Sequence, residues 1–134
     1  MNLYHQIFRL PVLKYCKLLC KHYVLHRSLP VATNEYSPIE CLVIKHRLQL
    51  HEVNALLSYV PQLRRLSLHC EPRSSDTRIV SPSIYLNHLT HISLNIQYCP
   101  FNQLESIMES LFHQVQILYI SVWSDDDGTY FDAN

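Results

Sequence analysis

Residues 61–70 read PQLRRLSLHC, and the spacing of their leucines sets the pattern for the whole chain. Leucines stand at positions 63, 66 and 68, so the first, fourth and sixth residues of a six-residue pattern are apolar. The same pattern begins again at positions 13, 39, 89 and 115. The successive steps of 26, 24, 26 and 26 residues indicate a repeating structural unit.

This spacing is typical of the strand segment of a leucine-rich repeat, whose units are about 20–29 residues long. We therefore predict an α/β fold, a leucine-rich-repeat solenoid with parallel strands on the concave side and helices or loops on the convex side. Residues 1–134 would form a single domain of about five repeats. We expect its strands near residues 13–19, 39–45, 63–69, 89–96 and 115–122.

The segments between these strands differ in character. Apolar residues recur at helical spacing in 49–59 and 101–112, which predicts helices. Residues 71–83 (EPRSSDTRIVSPS) are polar and lack that period, so we predict a loop. Tyr4, Ile7 and Phe8 share one face of a short N-terminal helix that Pro11 ends. A solenoid normally covers its first repeat with a cap, so we expect the chain to be a fragment.

Composition excludes several classes of protein. Hydrophobic residues make up 48% and charged residues 16%, which is typical of a folded chain. Eleven basic residues balance 11 acidic ones without a basic run, so we expect neither a nucleic-acid partner nor a membrane contact. The single glycine, Gly128, is too few for a P-loop, a dinucleotide fingerprint or a nucleophile elbow.

Cysteine usage and the N-terminal sequence bear on location. Five cysteines are an odd, dispersed set, which favours a reducing compartment over a disulfide scaffold. Charged residues at positions 9, 14, 17 and 21 interrupt the apolar stretch 7–25, so we predict neither a signal peptide nor a membrane span. We expect a cytoplasmic, or alternatively a nuclear, protein.

Alternation of side chains along each strand predicts a solvent-facing concave surface. Its main partner-binding candidates are Lys45, Arg65, Ser67, His69, His91, Ser93, Asn95, Tyr119 and Ser121, and the same face would carry Tyr15, Lys17, Cys41, Val43 and Ile117. Tyr119 and Trp123 are the strongest energetic candidates, because aromatic residues dominate interface hot spots. Arg64, Arg65 and Lys45 would either contact an acidic partner or serve only solvation.

Three other chemistries are open to the sequence. Cys16, Cys20, His22 and His26 offer zinc-type ligands, but their spacing departs from known pairings and Cys16 occupies a core-facing position. Residues 125–128 (DDDG) with Asp132 resemble part of a calcium loop but lack its closing glutamate. A Cys–His nucleophile pair has no supporting local motif. We therefore predict no catalytic residue, no metal site and no cofactor.

Several short segments of the sequence resemble those of one protein family. Residues 10–18 (LPVLKYCKL), 31–40 (VATNEYSPIE), 59–66 (YVPQLRRL), 89–93 (LTHIS) and 130–133 (YFDA) are similar to the repeat region of F-box proteins with leucine-rich-like repeats, a family expanded in bdelloid rotifers. The resemblance implies repeats that present a protein substrate, while an F-box recruits the core of a ubiquitin ligase. Residues 1–10 are too short to be an F-box, so ligase recruitment would require an F-box elsewhere in a longer protein.

We therefore expect a non-enzymatic protein–protein interaction module, the substrate-recognition repeats of an F-box-type ubiquitin-ligase adaptor. One alternative is a small metal-binding or enzymatic protein that uses Cys16, Cys20, His22 and His26. The other alternative is a truncated product without a function of its own.

Overall fold

The computed structural model describes residues 3–19, 36–48, 50–70, 86–97, 105, 109 and 114–123. The elements in chain order are α1 (Leu3–Phe8), β1 (Tyr15–Leu18), β2 (Cys41–Leu48), α2 (Leu50–Leu57), β3 (Arg65–Cys70), β4 (His91–Gln97) and β5 (Ile117–Trp123). The strands form one five-stranded parallel sheet in the order β1-β2-β3-β4-β5. The predicted α/β class and the predicted parallel strands are therefore confirmed.

Each strand begins at the same point of the sequence pattern. The patterns start at positions 13, 39, 63, 89 and 115, and the strands start at 15, 41, 65, 91 and 117. The residue just before each strand repeats one arrangement of backbone hydrogen bonds. We call these residues the strand-entry row: Lys14, Glu40, Arg64, Thr90 and Gln116.

In the strand-entry row, the carbonyl of one member accepts two N–H groups from the next unit. The Lys14 carbonyl accepts from the N–H groups of residues 40 and 41 at 2.8 and 3.0 Å. The Glu40 carbonyl does the same for residues 64 and 65 at 2.7 and 3.0 Å. The Arg64 carbonyl serves residues 90 and 91 at 3.0 and 3.1 Å, and the Thr90 carbonyl serves residues 116 and 117 at 2.8 and 3.0 Å. Neighbouring units are thus joined in the same way at every step.

The core lies on one face of the sheet. Residues at the first, fourth and sixth pattern positions are fully buried in the second, third and fourth units, as the alternation predicts. The row formed by Leu42, Leu66 and Ile92 runs through the middle of this core. Its continuation in β5 is less covered, because Leu118 is 41% exposed where Ile92 is 2% exposed. Burial therefore decreases towards β5.

Strand β2 is irregular. Val43 pairs with Ser67 and Arg47 pairs with His69, so β2 carries two more residues than β3 over the same length. The pairing becomes regular again at Leu48, which lies opposite Cys70. This bulge keeps Leu48 in the core, where it is 1% exposed.

The two helices pack against the core. Helix α2 matches the predicted helix at 49–59 and buries Val53, Ala55, Leu56 and Leu57. The chain then turns at Pro61 before β3. Helix α1 buries Tyr4 and Phe8, and the Phe8 ring stacks on Tyr59 with ring centroids 5.4 Å apart.

Two predicted connections lie largely outside the described residues. Of the helix predicted at 101–112, Glu105 and Glu109 are described, and both are helical. The loop predicted at 71–83 falls entirely outside them. No helix in the described part of the chain is long and apolar enough to cross a membrane.

Candidate functional site

The sheet face opposite the core is the candidate site, and we call it the open face. It carries the alternate strand residues, and these are partly or fully exposed where the core residues are buried. Tyr119 is 66% exposed, Tyr15 57% and Ile117 56%. The members of the open face are Tyr15, Lys17, Cys41, Val43, Lys45, Arg47, Arg65, Ser67, His69, His91, Ser93, Asn95, Ile117, Tyr119 and Ser121.

Register arranges these side chains in rows across the sheet. The first row holds Tyr15, Cys41, Arg65, His91 and Ile117. The second row holds Lys17, Val43, Ser67, Ser93 and Tyr119. The third row holds Arg47, His69, Asn95 and Ser121. The structure therefore brings the predicted partner-binding residues together on one surface, with Lys45 as the one that lies in no row.

The irregularity of β2 changes the third row. Uniform spacing places Lys45 beside His69, but the bulge puts Arg47 there instead. Lys45 is exposed and lies within the irregular part of β2. Both cations are near enough to His69 to act on it electrostatically. Uniform repeat spacing places Arg47 one row later on the open face, so the bulge moves it by one row to lie opposite His69.

The electrostatics of His69 reflect this arrangement. Partial burial lowers the pKa of His69, and the positive charges of Lys45 and Arg47 lower it further. The imidazole is therefore held neutral at pH values where a free histidine begins to take up a proton. The neutral ring offers one hydrogen-bond donor and one acceptor beside the two cations of β2.

Charge is unevenly distributed over the molecule. The open face carries the cations Lys17, Lys45, Arg47 and Arg65. The strands read YCKL, CLVIKHRL, RLSLHC, HISLNIQ and ILYISVW, with no aspartate or glutamate among them. The whole chain nevertheless has 11 basic and 11 acidic residues. The described strands are therefore basic, although the whole chain is balanced in charge.

His46 lies on the core side of β2 and contacts helix α1. Its Nε2 is hydrogen-bonded to the Tyr4 hydroxyl, and the two rings are 5.9 Å apart at 43°. Burial lowers the pKa of His46, and His69 lowers it further. His46 Nδ1 is buried, and no hydrogen-bond partner is found for it within the described residues. A neutral imidazole whose Nε2 accepts a hydrogen bond from the Tyr4 hydroxyl fits this environment.

The strand-entry row forms a second polar line beside the open face. Lys14 Nζ lies 3.5 Å from Glu40 Oε1, and both side chains are exposed. The hydroxyl of Thr90 donates to the Arg64 carbonyl at 3.4 Å. The sequence pattern alone does not reveal this row, although its members all stand directly before a strand.

The candidate metal and catalytic residues are mostly not described. Cys16 faces the core as predicted, and its burial raises the pKa of the thiol, which disfavours a thiolate ligand. Cys20, His22 and His26 lie outside the described residues, as do the acidic residues at 125–127 and Asp132. Within the described ranges, no three His, Cys, Asp or Glu side chains group so as to hold a metal ion.

A cleft of about 610 Å³ lies where the chain enters the strands. Its lining includes Phe8, Pro11, Tyr36, Pro38 and Pro61. In this described part of the chain the lining contains no histidine, cysteine or carboxylate. The lining also includes Arg9, Ser37 and Gln62, so the cleft is of mixed polarity, and its described lining offers no acid–base pair.

Arg47 is the functional candidate that uniform spacing misplaces, and the sequence does carry a signal for it. The core position held by Cys70, Ile96 and Val122 in β3, β4 and β5 corresponds by uniform counting to His46 in β2. A polar residue there, followed two positions later by Leu48, indicates an insertion in the strand.

Comparison with family models, curated proteins and solved structures gave no match.

Proposed function

We propose that this chain is a non-enzymatic protein–protein interaction module. In this proposal its units form a leucine-rich-repeat solenoid, and the open face is the concave surface that binds a partner. The observation that carries the proposal is the repeated junction of the strand-entry row, together with side chains that alternate between core and open face.

The repeated junction favours a solenoid because each unit contacts its neighbours in one way. Four successive junctions use the same pair of backbone hydrogen bonds, and the strands follow one another in chain order. Repeat proteins are built by such nearest-neighbour stacking, and they bind partners on the extended surface that the stacking creates.

The open face has the composition of an interface. Exposed Tyr119 offers a large apolar area with a polar tip, and Arg65 offers a planar set of donors. The serines in the second row and Asn95 in the third supply hydrogen-bonding groups between them. Such a mixture of aromatic, arginine and small polar residues binds proteins rather than a buried small molecule.

The family resemblance suggests what the partner does. Repeats of this kind in F-box proteins present a substrate to a ubiquitin ligase, so we infer that the partner is a protein substrate. The ligase core would join only if an F-box belongs to the full-length protein. Cys16 and Cys41 are free thiols, which agrees with a reducing compartment, the cytoplasm or the nucleus.

The test is affinity capture from a reducing cell lysate with the wild-type chain and two variants. The first variant carries Arg65→Glu, His91→Glu and Tyr119→Glu on the open face. The control carries Arg64→Glu, Gln62→Glu and Asn87→Glu, which are exposed positions off that face. The two sets change the formal charge equally, so they differ in location and not in net charge.

We expect a partner that the wild type and the control retain and the open-face variant loses. Circular dichroism of all three chains checks that the sheet remains folded. Equal capture by all three folded chains would contradict the proposal, because it would place binding elsewhere.

A further inference from the structure

We propose that the part of the open face around Lys45, Arg47 and His69 binds carboxylate side chains of an acidic, extended segment of the partner protein. This inference rests on the proposed function and adds the chemical class of the ligand. We call the three residues with Asn95 the basic cluster.

The first argument is geometric. The bulge in β2 brings two cations to the same neighbour, since Arg47 pairs with His69 and Lys45 lies within the bulge. Regular pairing would bring only one residue of β2 opposite His69. Asn95 follows His69 in the row, so polar groups from three adjacent strands converge.

The second argument is the local charge. The described strands contain no carboxylate, and the positive charges of Lys45 and Arg47 both act on His69, so two cations lie near one point of the face. A carboxylate placed here would meet cations and polar side chains, and charge-assisted hydrogen bonds are stronger than neutral ones.

The third argument separates a protein segment from a nucleic acid. The open-face cations lie on β1, β2 and β3, whereas β4 and β5 carry none. A nucleic acid needs a basic track along its whole backbone. The β5 end instead presents Ile117 and Tyr119, both more than half exposed. The face is therefore basic at one end and apolar at the other.

The distance between the basic end at β2 and the apolar end at β5 sets the spacing between the acidic and apolar residues of the bound segment. Neighbouring strands lie about 4.8 Å apart, so β2 and β5 are separated by about 14 Å. An extended chain rises about 3.3 Å per residue, so about four residues span that distance. We infer a segment with two or three acidic residues followed, about four residues later, by a large apolar residue.

The test uses a fluorescein-labelled peptide of sequence GDEESSSLFG and measures binding to the full chain by fluorescence anisotropy. Two matched peptides, GNQQSSSLFG and GKKKSSSLFG, replace the acidic residues by neutral and basic ones. A single-stranded DNA of 12 nucleotides is the fourth probe. Each titration is run at low and at moderate salt.

We expect the acidic peptide to bind and the other three probes to bind at least tenfold more weakly. The double substitution Lys45→Gln and Arg47→Gln should weaken the acidic peptide at least tenfold. The control substitution Lys14→Gln and Arg64→Gln removes two charges from the strand-entry row, and it should change binding less than twofold. Higher salt should weaken the wild type more than the double variant.

A second readout is the titration of His69 by NMR. A bound carboxylate should raise the pKa of His69, because it offsets the two cations. The neutral peptide should leave this pKa unchanged.

Three outcomes would overturn the inference. The first is equal binding of the acidic and neutral peptides, and the second is no peptide binding at all. The third is DNA binding that is tighter than peptide binding and is lost in the double variant, which would assign the basic cluster to nucleic acid. The proposed function would fail separately: a captured partner that the open-face variant loses and the Lys45→Gln, Arg47→Gln variant keeps would support that function and refute the acidic ligand.

Discussion

His46 joins the N-terminal helix to the sheet through a single side chain. The Tyr4 hydroxyl bonds to one ring nitrogen of His46, and the Tyr4 ring also packs 6.0 Å from that of Phe8. Tyr4 is 3% exposed, so its hydroxyl can be satisfied only by a protein group or a trapped water. The Tyr4–His46 pair therefore helps to position α1 against β2.

We expect Tyr4→Phe to destabilise the protein by about 1 kcal/mol, because it removes the hydrogen bond and leaves the aromatic packing in place. Urea denaturation followed by circular dichroism measures this change. Tyr15→Phe is the matched control, because Tyr15 is exposed on the open face, and it should change stability by less than about 0.5 kcal/mol. Equal effects of the two substitutions would show that the bond to His46 contributes nothing.

Acid should destabilise the fold through His46 and His69. Both histidines have a lowered pKa in the folded protein, so the unfolded chain takes up protons first as the pH falls below about 6.5. The contribution of the two neutral histidines to folding stability is complete above that pH. It is lost as the pH falls through their lower pKa in the folded protein. We expect the urea concentration at the unfolding midpoint to decrease when the pH is lowered from 7.5 to 5.5.

His69→Gln tests the origin of that pH dependence. It removes one titrating group and also one charge that acts on His46. The variant should lose less stability than the wild type over the same pH range. An unchanged pH dependence would assign the effect to other groups.

At the level of elements, β2 shows how the hydrophobic pattern sets register. Leu48 aligns with Cys70, and the same core row continues through Ile96 and Val122. Without the bulge, His46 would occupy this row, and an imidazole would replace an aliphatic side chain in the core. The two additional residues therefore interrupt the regular pairing of β2, and as a result Leu48 keeps this core row apolar.

Leu48→Ala should cost about 2–5 kcal/mol, because it opens a cavity in the core row. Lys45→Ala, three residues earlier on the exposed side of the bulge, should cost less than about 0.5 kcal/mol. Chemical denaturation of both variants checks the difference. A small cost for Leu48→Ala would show that the row does not fix the register.

The sequence predicts the strands well because their signal is local and repeated. Residues such as Leu63, Leu66 and Leu68 recur at one spacing, and burial follows that spacing in the second, third and fourth units. The bond between Tyr4 and His46 joins residues 42 positions apart and does not follow the repeat spacing, so the pattern does not predict it. Uniform counting places Arg47 in the wrong row because the bulge in β2 breaks the period, although the polar His46 at a core position does signal an insertion.

The sequence predicts which residues lie on the open face, but it does not predict how charge is distributed over that face. Alternation alone places Arg65, His91 and Tyr119 on it. Its basic character emerges only from the described strands, which carry Lys17, Lys45, Arg47 and Arg65 and no carboxylate. Whole-chain composition cannot show this segregation, since it averages over all surfaces.

Across the whole molecule, burial falls from the middle of the sheet towards β5. Leu66 in β3 is 3% exposed, whereas Leu118 in the same row of β5 is 41% exposed. Local opening is easier where less apolar surface is buried. We expect backbone amides of β3 to exchange with deuterium more slowly than those of β5, by mass spectrometry or NMR. Equal protection would indicate that the sheet opens only as one unit.

The strand-entry row has a consequence for how such a chain evolves. The two hydrogen bonds that every junction shares join backbone groups, and they recur whatever side chains the row carries. Duplicating or deleting one complete unit of about 26 residues would therefore regenerate an equivalent junction without any compensating substitution. The sheet can lengthen or shorten by whole strands, and its ligand specificity can then diverge strand by strand while the scaffold stays the same.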